Sequence, residues 1–287
     1  MREKREPSPV EIFGSFMPWK IDEQTWIIQF MNGSEYMYLL EGEEKALLID
    51  TGWGTGNVKA LVSRLTSKPV LVVNSHFHPD HAGGNGEFEE VYVSRNYKAD
   101  ESHVLNNKLC PMDINALPHP DYKKILIGEG YVFDLGGRSI EVMEAENAHC
   151  GSSLFFLDRS HRMVFTGDEF ESAQSNLFND PPAEDGTTCS TETVLKHFTN
   201  NAKRIWDLRD SYDLVFPNHN GAPIAKSYIR DYSELYTAIR SGKVTVEEKL
   251  NHFYIEMDPK APLLCRVRYK DVSIFAYKKD IEELLPE

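Results

Sequence analysis

A chain of 287 residues with 41% hydrophobic side chains can fold as one large domain or as two closely joined ones, and wholesale disorder is excluded. Its 45 acidic and 31 basic residues leave a formal charge of −14, which argues against a nucleic-acid partner. No apolar run approaches the length of a bilayer crossing, so no membrane role is expected.

The start, Met1-Arg2-Glu3-Lys4-Arg5-Glu6-Pro7, is charged and leads into no apolar stretch, so no export signal is expected. Cysteines at 110, 150, 189 and 265 form neither a disulfide framework nor a paired zinc-knuckle spacing. A reducing cytoplasm is the location this predicts.

Thr25 to Phe30 and Met37 to Leu40 read as hairpin strands joined around Asn32-Gly33. Ala46-Leu47-Leu48-Ile49 is a buried strand ending at Asp50-Thr51-Gly52, and Asn57 to Leu65 has apolar residues at helical spacing. Pro69 to Val73 is the next strand, and Glu90 to Val93 another. The segment from Asn96 to Tyr131 reads as helix and loop near a site opening. Strands resume at Ser139 to Met143, Ser153 to Leu157 and Met163 to Phe165. Ser190 caps a helix reaching Leu208, and Leu214-Val215-Phe216 is a buried strand. Ile224 to Ser241 reads as helix, Thr245 as the cap of a short one, and Leu263 to Tyr269 with Val272 to Tyr277 as a closing hairpin.

The strand at Val70 to Val73 exits into Asn74-Ser75-His76-Phe77-His78-Pro79-Asp80-His81-Ala82-Gly83-Gly84, which packs three imidazoles and a carboxylate into six residues. An extended backbone there aims His76 and His78 to one side, because alternate residues share a face. Borderline nitrogens with one hard oxygen suit zinc best. Gly83 and Gly84 are expected to permit a tight turn. His149, Asp168 and His219 also lie at strand ends, making seven candidate ligands, five imidazoles and two carboxylates. His103, His119, His161, His197 and His252 lack such spacing.

On these residues the chain resembles the metallo-β-lactamase-fold hydrolase superfamily. The H-x-H-x-D-H signature stands as His76, His78, Asp80 and His81, preceded by the glycine-bearing turn Asp50-Thr51-Gly52. His149, Thr166-Gly167-Asp168 and His219 follow in the family's order, so the resemblance runs from about Trp26 to His219. It implies one domain over 1–287, an α/β four-layer αβ/βα sandwich of two mixed sheets flanked by helices, with a metal site at one sheet edge. It further implies that His76, His78 and His149 hold one metal, that Asp80, His81 and His219 hold a second, and that Asp168 bridges them. Two Zn2+ are expected, with Fe or Mn as alternatives. Asp80 is the candidate catalytic group, accepting a proton or orienting water.

Three features depart from the family pattern. His149-Cys150-Gly151-Ser152 replaces a His-Thr-Pro-Gly type of stretch, which raises whether Cys150 tunes the metals or is an ordinary buried thiol. Asn218 and Asn220 flank the last histidine, as turn formers or as hydrogen-bonding groups. His78 is retained where oxygen-reducing di-iron relatives usually carry Glu. Segments 96–131 and 172–189, with Phe16 to Trp19, are expected to cover the pocket, with Trp19 or Phe178 as lining groups.

The resemblance implies a hydrolase in which a metal-bridged hydroxide cleaves a small ester, lactone, thioester or amide. A phosphodiesterase, an iron-dependent sulfur dioxygenase and a non-catalytic binding module are the alternatives. The partner expected is a small-molecule substrate, and a homodimer is the prior for an enzyme of this size.

Overall fold

A computed structural model describes residues 16–30, 35–54, 56–100, 121–172, 174–181, 187–250 and 253–286. The Asn32-Gly33 turn, His252, most of segment 96–131 with His103 and His119, and 173 and 182–186 of segment 172–189 lie outside them. The chain is a mixed α/β protein of two compact units. One runs to Glu144 and adds Leu154–Ser160, and the other holds Ala145–Ser153 and everything from His161.

The first unit contains β1 (Phe16–Asp22), β2 (Thr25–Phe30), β3 (Tyr36–Glu41), β4 (Ala46–Ile49), helix α1 (Val58–Leu65) and β5 (Val70–Val73). It continues through α2 (Pro79–Ala82), β6 (Glu90–Ser94), β7 (Lys123–Ile127), β8 (Val132–Asp134), β9 (Ser139–Glu144) and β10 (Leu154–Asp158). Strands β1 to β7 form one sheet in sequence order, antiparallel as far as β4 and parallel from there. β4 is buried along its whole length because neighbours cover both faces, which is why it reads as a continuous apolar run. Val58, Leu61 and Val62 of α1 pack on Leu39, Leu48 and Val72 in a shared apolar cluster. Asn57 caps that helix by accepting from the Ala60 N–H at 2.8 Å. β8, β9 and β10 are antiparallel neighbours.

The second unit contains β11 (Met163–Gly167), β12 (Ser175–Asn176), α3 (Thr191–Asp207), β13 (Leu214–Pro217), β14 (Ile224–Ala225) and α4 (Ser227–Arg240). Then come β15 (Thr245–Glu247), α5 (Phe253–Glu256), β16 (Leu264–Tyr269), β17 (Val272–Tyr277) and α6 (Lys278–Leu284). β11 pairs with β13 in parallel, and β14 adds antiparallel to β13. A separate small sheet has the order β12-β17-β16-β15. No helix among the described residues is long and apolar enough to cross a membrane.

Several expectations change. Phe16 to Trp19 belongs to β1, where Phe16 is 2% exposed and packs on Phe30 with ring centroids 5.7 Å apart, so Phe16 is a core residue. Pro18 obscured this strand, yet an edge position tolerates its missing N–H. Lys123 and Lys124 likewise hid β7, the opposite edge of that sheet, where lysines discourage further pairing. Thr245 opens strand β15 and caps no helix, because Thr-Val-Glu finds a partner strand in Arg266 to Arg268. Ile224-Ala225 forms a short strand before the helix begins.

Arg138 ties the first unit together. Its buried guanidinium donates to Asp158 Oδ2 at 2.7 Å, to the Gln24 and Glu41 carbonyls at 2.8 and 3.2 Å, and to Thr25 Oγ1 at 3.0 Å. Arg138→Ala leaves Asp158 as an uncompensated buried charge, so urea unfolding should show a loss of about 3–5 kcal/mol. A loss below about 1 kcal/mol would place the pair among merely decorative ion pairs.

Candidate metal centre

The first unit assembles four of the candidate ligands at the ends of β4 and β5. After Ile49 the chain turns through Asp50 and Gly52, with φ of 67° and 68°. That turn points the Asp50 carboxylate inward, where it accepts from the Ser75 N–H at 2.6 Å, Ser75 Oγ at 2.7 Å and His81 Nδ1 at 2.9 Å. Burial raises the Asp50 carboxyl above its ordinary range, while His81 and the Ser75 bonds pull the other way. With Nδ1 on Asp50, His81 presents Nε2 to Asp80 Oδ2 at 3.3 Å. A ligating histidine is usually oriented by such a carboxylate on its other nitrogen.

His76 sits between the other two imidazoles, with ring centroids 4.1 Å from His81 and 4.5 Å from His78. Its Nδ1 meets Ser75 Oγ at 3.1 Å, which leaves Nε2 as the nitrogen suited to coordination. Pro79 begins the single turn α2 that brings Asp80 and His81 around, and its fixed φ suits a first helical position.

A buried amide network fixes the His81 backbone. Its carbonyl accepts from the Thr51 N–H at 2.8 Å, Thr51 Oγ1 at 3.0 Å and Asn74 Nδ2 at 3.1 Å. Asn85 closes the ring by donating to Asn74 Oδ1 at 2.8 Å. Gly83 and Gly84 have ordinary φ of −60° and −91°, so conformational freedom is not their purpose. A Cβ at Gly83 would lie 2.2 Å from Trp53 C, and one at Gly84 2.4 Å from Thr51 O. They are glycines because the ligand turn lies directly against the turn that carries Asp50.

The second unit brings His149, Asp168 and His219 together. Asp168 Oδ2 lies 3.2 Å from His219 Nε2 and 3.7 Å from His149 Nε2, so both imidazoles aim the same nitrogen at one carboxylate oxygen. The residues after Asp168 hold both histidine-bearing segments. Glu169 accepts from the His149 N–H at 3.3 Å and Asn201 Nδ2 at 2.7 Å, and burial pushes its carboxyl up to about 7. Glu171, also buried, accepts from the Asn220 side chain beside His219. Asn220 has φ of 61°, so it is both turn former and clamp. Cys150 is buried, with Sγ 3.2 Å from Ser153 Oγ. Cys150, Cys189 and Cys265 are not in disulfides.

Phe178 is buried with Leu250, Ile255, Leu264 and Phe275, an apolar cluster that takes it away from pocket lining. Trp19 packs edge-on against Tyr36. Asn179, which sequence reasoning missed, has Nδ2 3.2 Å from His149 O and 3.3 Å from His149 Nδ1. Asp180 anchors that segment by accepting from Lys260 Nζ at 2.7 Å and Tyr277 OH at 2.9 Å. Only the turn residues Asn179-Asp180 hinted at this, and no local pattern links them to position 149.

The donor chemistry fits a divalent transition metal. Clustered neutral imidazoles with carboxylates are a borderline ligand set, and each unit supplies outer groups that orient its histidines. His76, His78, Asp80, His81, His149, Asp168 and His219 all belong to groups of side chains able to hold a metal ion.

Comparison with known proteins agrees. A model described as "Metallo-beta-lactamase superfamily" matches residues 32–219. The acyl-coenzyme A thioesterase MBLAC2 of Gallus gallus is 28% identical over 159 residues, 46% of this chain and 56% of that protein. A putative diflavin flavoprotein A 2 of Nostoc sp. is 29% identical over 157 residues, 52% of this chain and 26% of that one. The chain thus matches about half or less of these curated relatives' length. Among solved structures, a metallo-beta-lactamase from Pontibacter korlensis superposes with a TM-score of 0.56 at 21% identity, over 77% of this chain and 98% of that one. The sec-alkylsulfatase Pisa1 from Pseudomonas sp. gives 0.61 at 16% identity, over 83% and 45%. At such identities the structures share the fold alone.

Asp50→Asn should keep the fold and weaken metal binding by about 10–100-fold, measured by competition with a chromogenic chelator. Unchanged affinity would remove Asp50 from any role in orienting His81.

Proposed function

The chain belongs to the metallo-beta-lactamase superfamily, and from that premise we propose that it is a metal-dependent hydrolase of small-molecule thioesters. The observation that carries this reading is the convergence of histidine nitrogens and carboxylate oxygens within each unit, every set held by buried outer carboxylates or amides. The similarity to an acyl-coenzyme A thioesterase supports the thioester over an ester, lactone or amide.

In this reading His76, His78 and His149 would hold one zinc and Asp80, His81 and His219 a second, with Asp168 as a further ligand. Metals so held supply water activated near neutral pH and a Lewis acid for the attacked carbonyl. The side chains do the rest. Asp80 is 17% exposed at its side chain and belongs to the second set, so it can take a proton from the attacking water and pass it to the leaving sulfur. Asp50 and Ser75 keep His81 and His76 in one tautomer and orientation while this happens. Water adds to the carbonyl carbon, the C–S bond breaks, and an acid and a thiol leave.

An iron-dependent redox enzyme is the competing reading, favoured by the similarity to a diflavin flavoprotein. His78 weighs against it, since the resemblance associates a Glu at that position with oxygen reduction.

A panel of acyl thioesters, esters, lactones, amides and phosphodiesters assayed on the metal-loaded protein tests the proposal. Thiol release from thioesters should dominate, vanish with a chelator, return with Zn2+ and fall to background in His76→Ala. Asp80→Asn should lose about 10²–10⁴ in kcat. Iron as the sole bound metal, with oxygen uptake in place of hydrolysis, would overturn it.

A further inference from the structure

The small sheet of the second unit carries a row of cross-strand partners that the metal chemistry does not use. Asn176 of β12 pairs with Phe275 of β17, Phe275 with Arg266 of β16, and Arg266 with Glu247 of β15. Side chains in such a row stand on one face of a sheet. Arg266 is 7% exposed there. Its Nη2 donates to Gln174 Oε1 at 2.6 Å, and its guanidinium carbon lies 4.8 Å from the Phe275 ring centroid. Its Nε is buried and makes no hydrogen bond.

No carboxylate pairs with this guanidinium among the described residues. Glu247, its neighbour across the sheet, gives its carboxylate to Arg268 Nε at 2.7 Å. Burial and then the charge of Arg268 hold the guanidinium below its ordinary value, with the charge of Glu247 pulling the other way. Two strands along the same row, Asn176 Oδ1 is also buried without a hydrogen bond. The contrast with Arg138 is informative: that buried arginine has an aspartate and three oxygen acceptors. A desolvated guanidinium with its Nε donor unmatched is a cost to the fold, and an anion that completes it would offset that cost.

We propose that Arg266 anchors an anionic group, a carboxylate or a phosphate on a small molecule, with the Asn176 amide holding a polar group beside it. The planar fork of an arginine takes either anion through two parallel N–H bonds, and the Phe275 face keeps it flat. This site stands independently of the hydrolase reading, because it needs neither the metals nor turnover.

The test compares saturable binding of inorganic phosphate and of acetate at constant ionic strength, by thermal melting of the metal-loaded full chain. For the wild type, one or both anions should raise the melting temperature, and which one does so separates a phosphate ligand from a carboxylate. In Arg266→Met the apparent Kd should weaken by about tenfold or more, with Arg266→Lys intermediate. Any anion bound at the metals contributes equally to all three proteins and cancels. Without anion, Arg266→Met should melt at or above the wild-type temperature, since it removes an unmatched charge and keeps the volume. Equal anion responses in wild type and Arg266→Met, no saturable response to either anion, or a Met variant that melts well below wild type would each overturn the proposal.

Discussion

The buried carboxylate of Asp50 is the constraint on which the metal-binding turn depends. It lies at the end of a parallel strand pair and is wholly removed from solvent, so it must be matched by donors. Ser75 supplies two and His81 one, and each of these bonds fixes something the chemistry needs. The Ser75 bonds set where β5 ends, and the His81 bond sets which ring nitrogen is left to face a ligand. Were this carboxylate displaced, the adjacent Thr51, Asn74 and Asn85 network would lose its register with His81.

The second unit solves the same problem with different groups. Its histidines sit on loops after β-strands, where the backbone alone specifies little. Buried glutamates on either side of Phe170 reach the two loops separately, Glu169 to the one carrying His149 and Glu171 to the one carrying His219. A short stretch following Asp168 thus holds two candidate ligand loops at once. The raised Glu169 carboxyl reflects how far such clamps are drawn from water.

The segment beyond residue 219 lies outside the family match yet is not a passive tail. Lys260 and Tyr277 hold Asp180, and the neighbouring Asn179 touches His149. Leu177 also donates its N–H to Phe275 O at 2.9 Å. The small sheet therefore supports one of the candidate ligand histidines while carrying Arg266 on the face it shares with Phe275.

Continuous apolar strands such as Ala46 to Ile49 and the capped helix after Ser190 were legible because burial and capping leave local marks. The histidine cluster was legible for the same reason, since four candidate ligands in six residues have few other uses. Edge strands were not, because Pro18 and the lysines of β7 obey the requirements of an edge more than of a strand. The outer groups were hidden further still: Asp50 is 31 residues from His81, and Asn179 is 30 from His149. Sequence by itself determined the donor types, their order and the class of metal they favour, because those follow from side-chain chemistry. Only tertiary structure decided which nitrogen each histidine offers and which buried carboxylates enforce it. Hydrogen-bond geometry between distant segments exists only once the chain has folded.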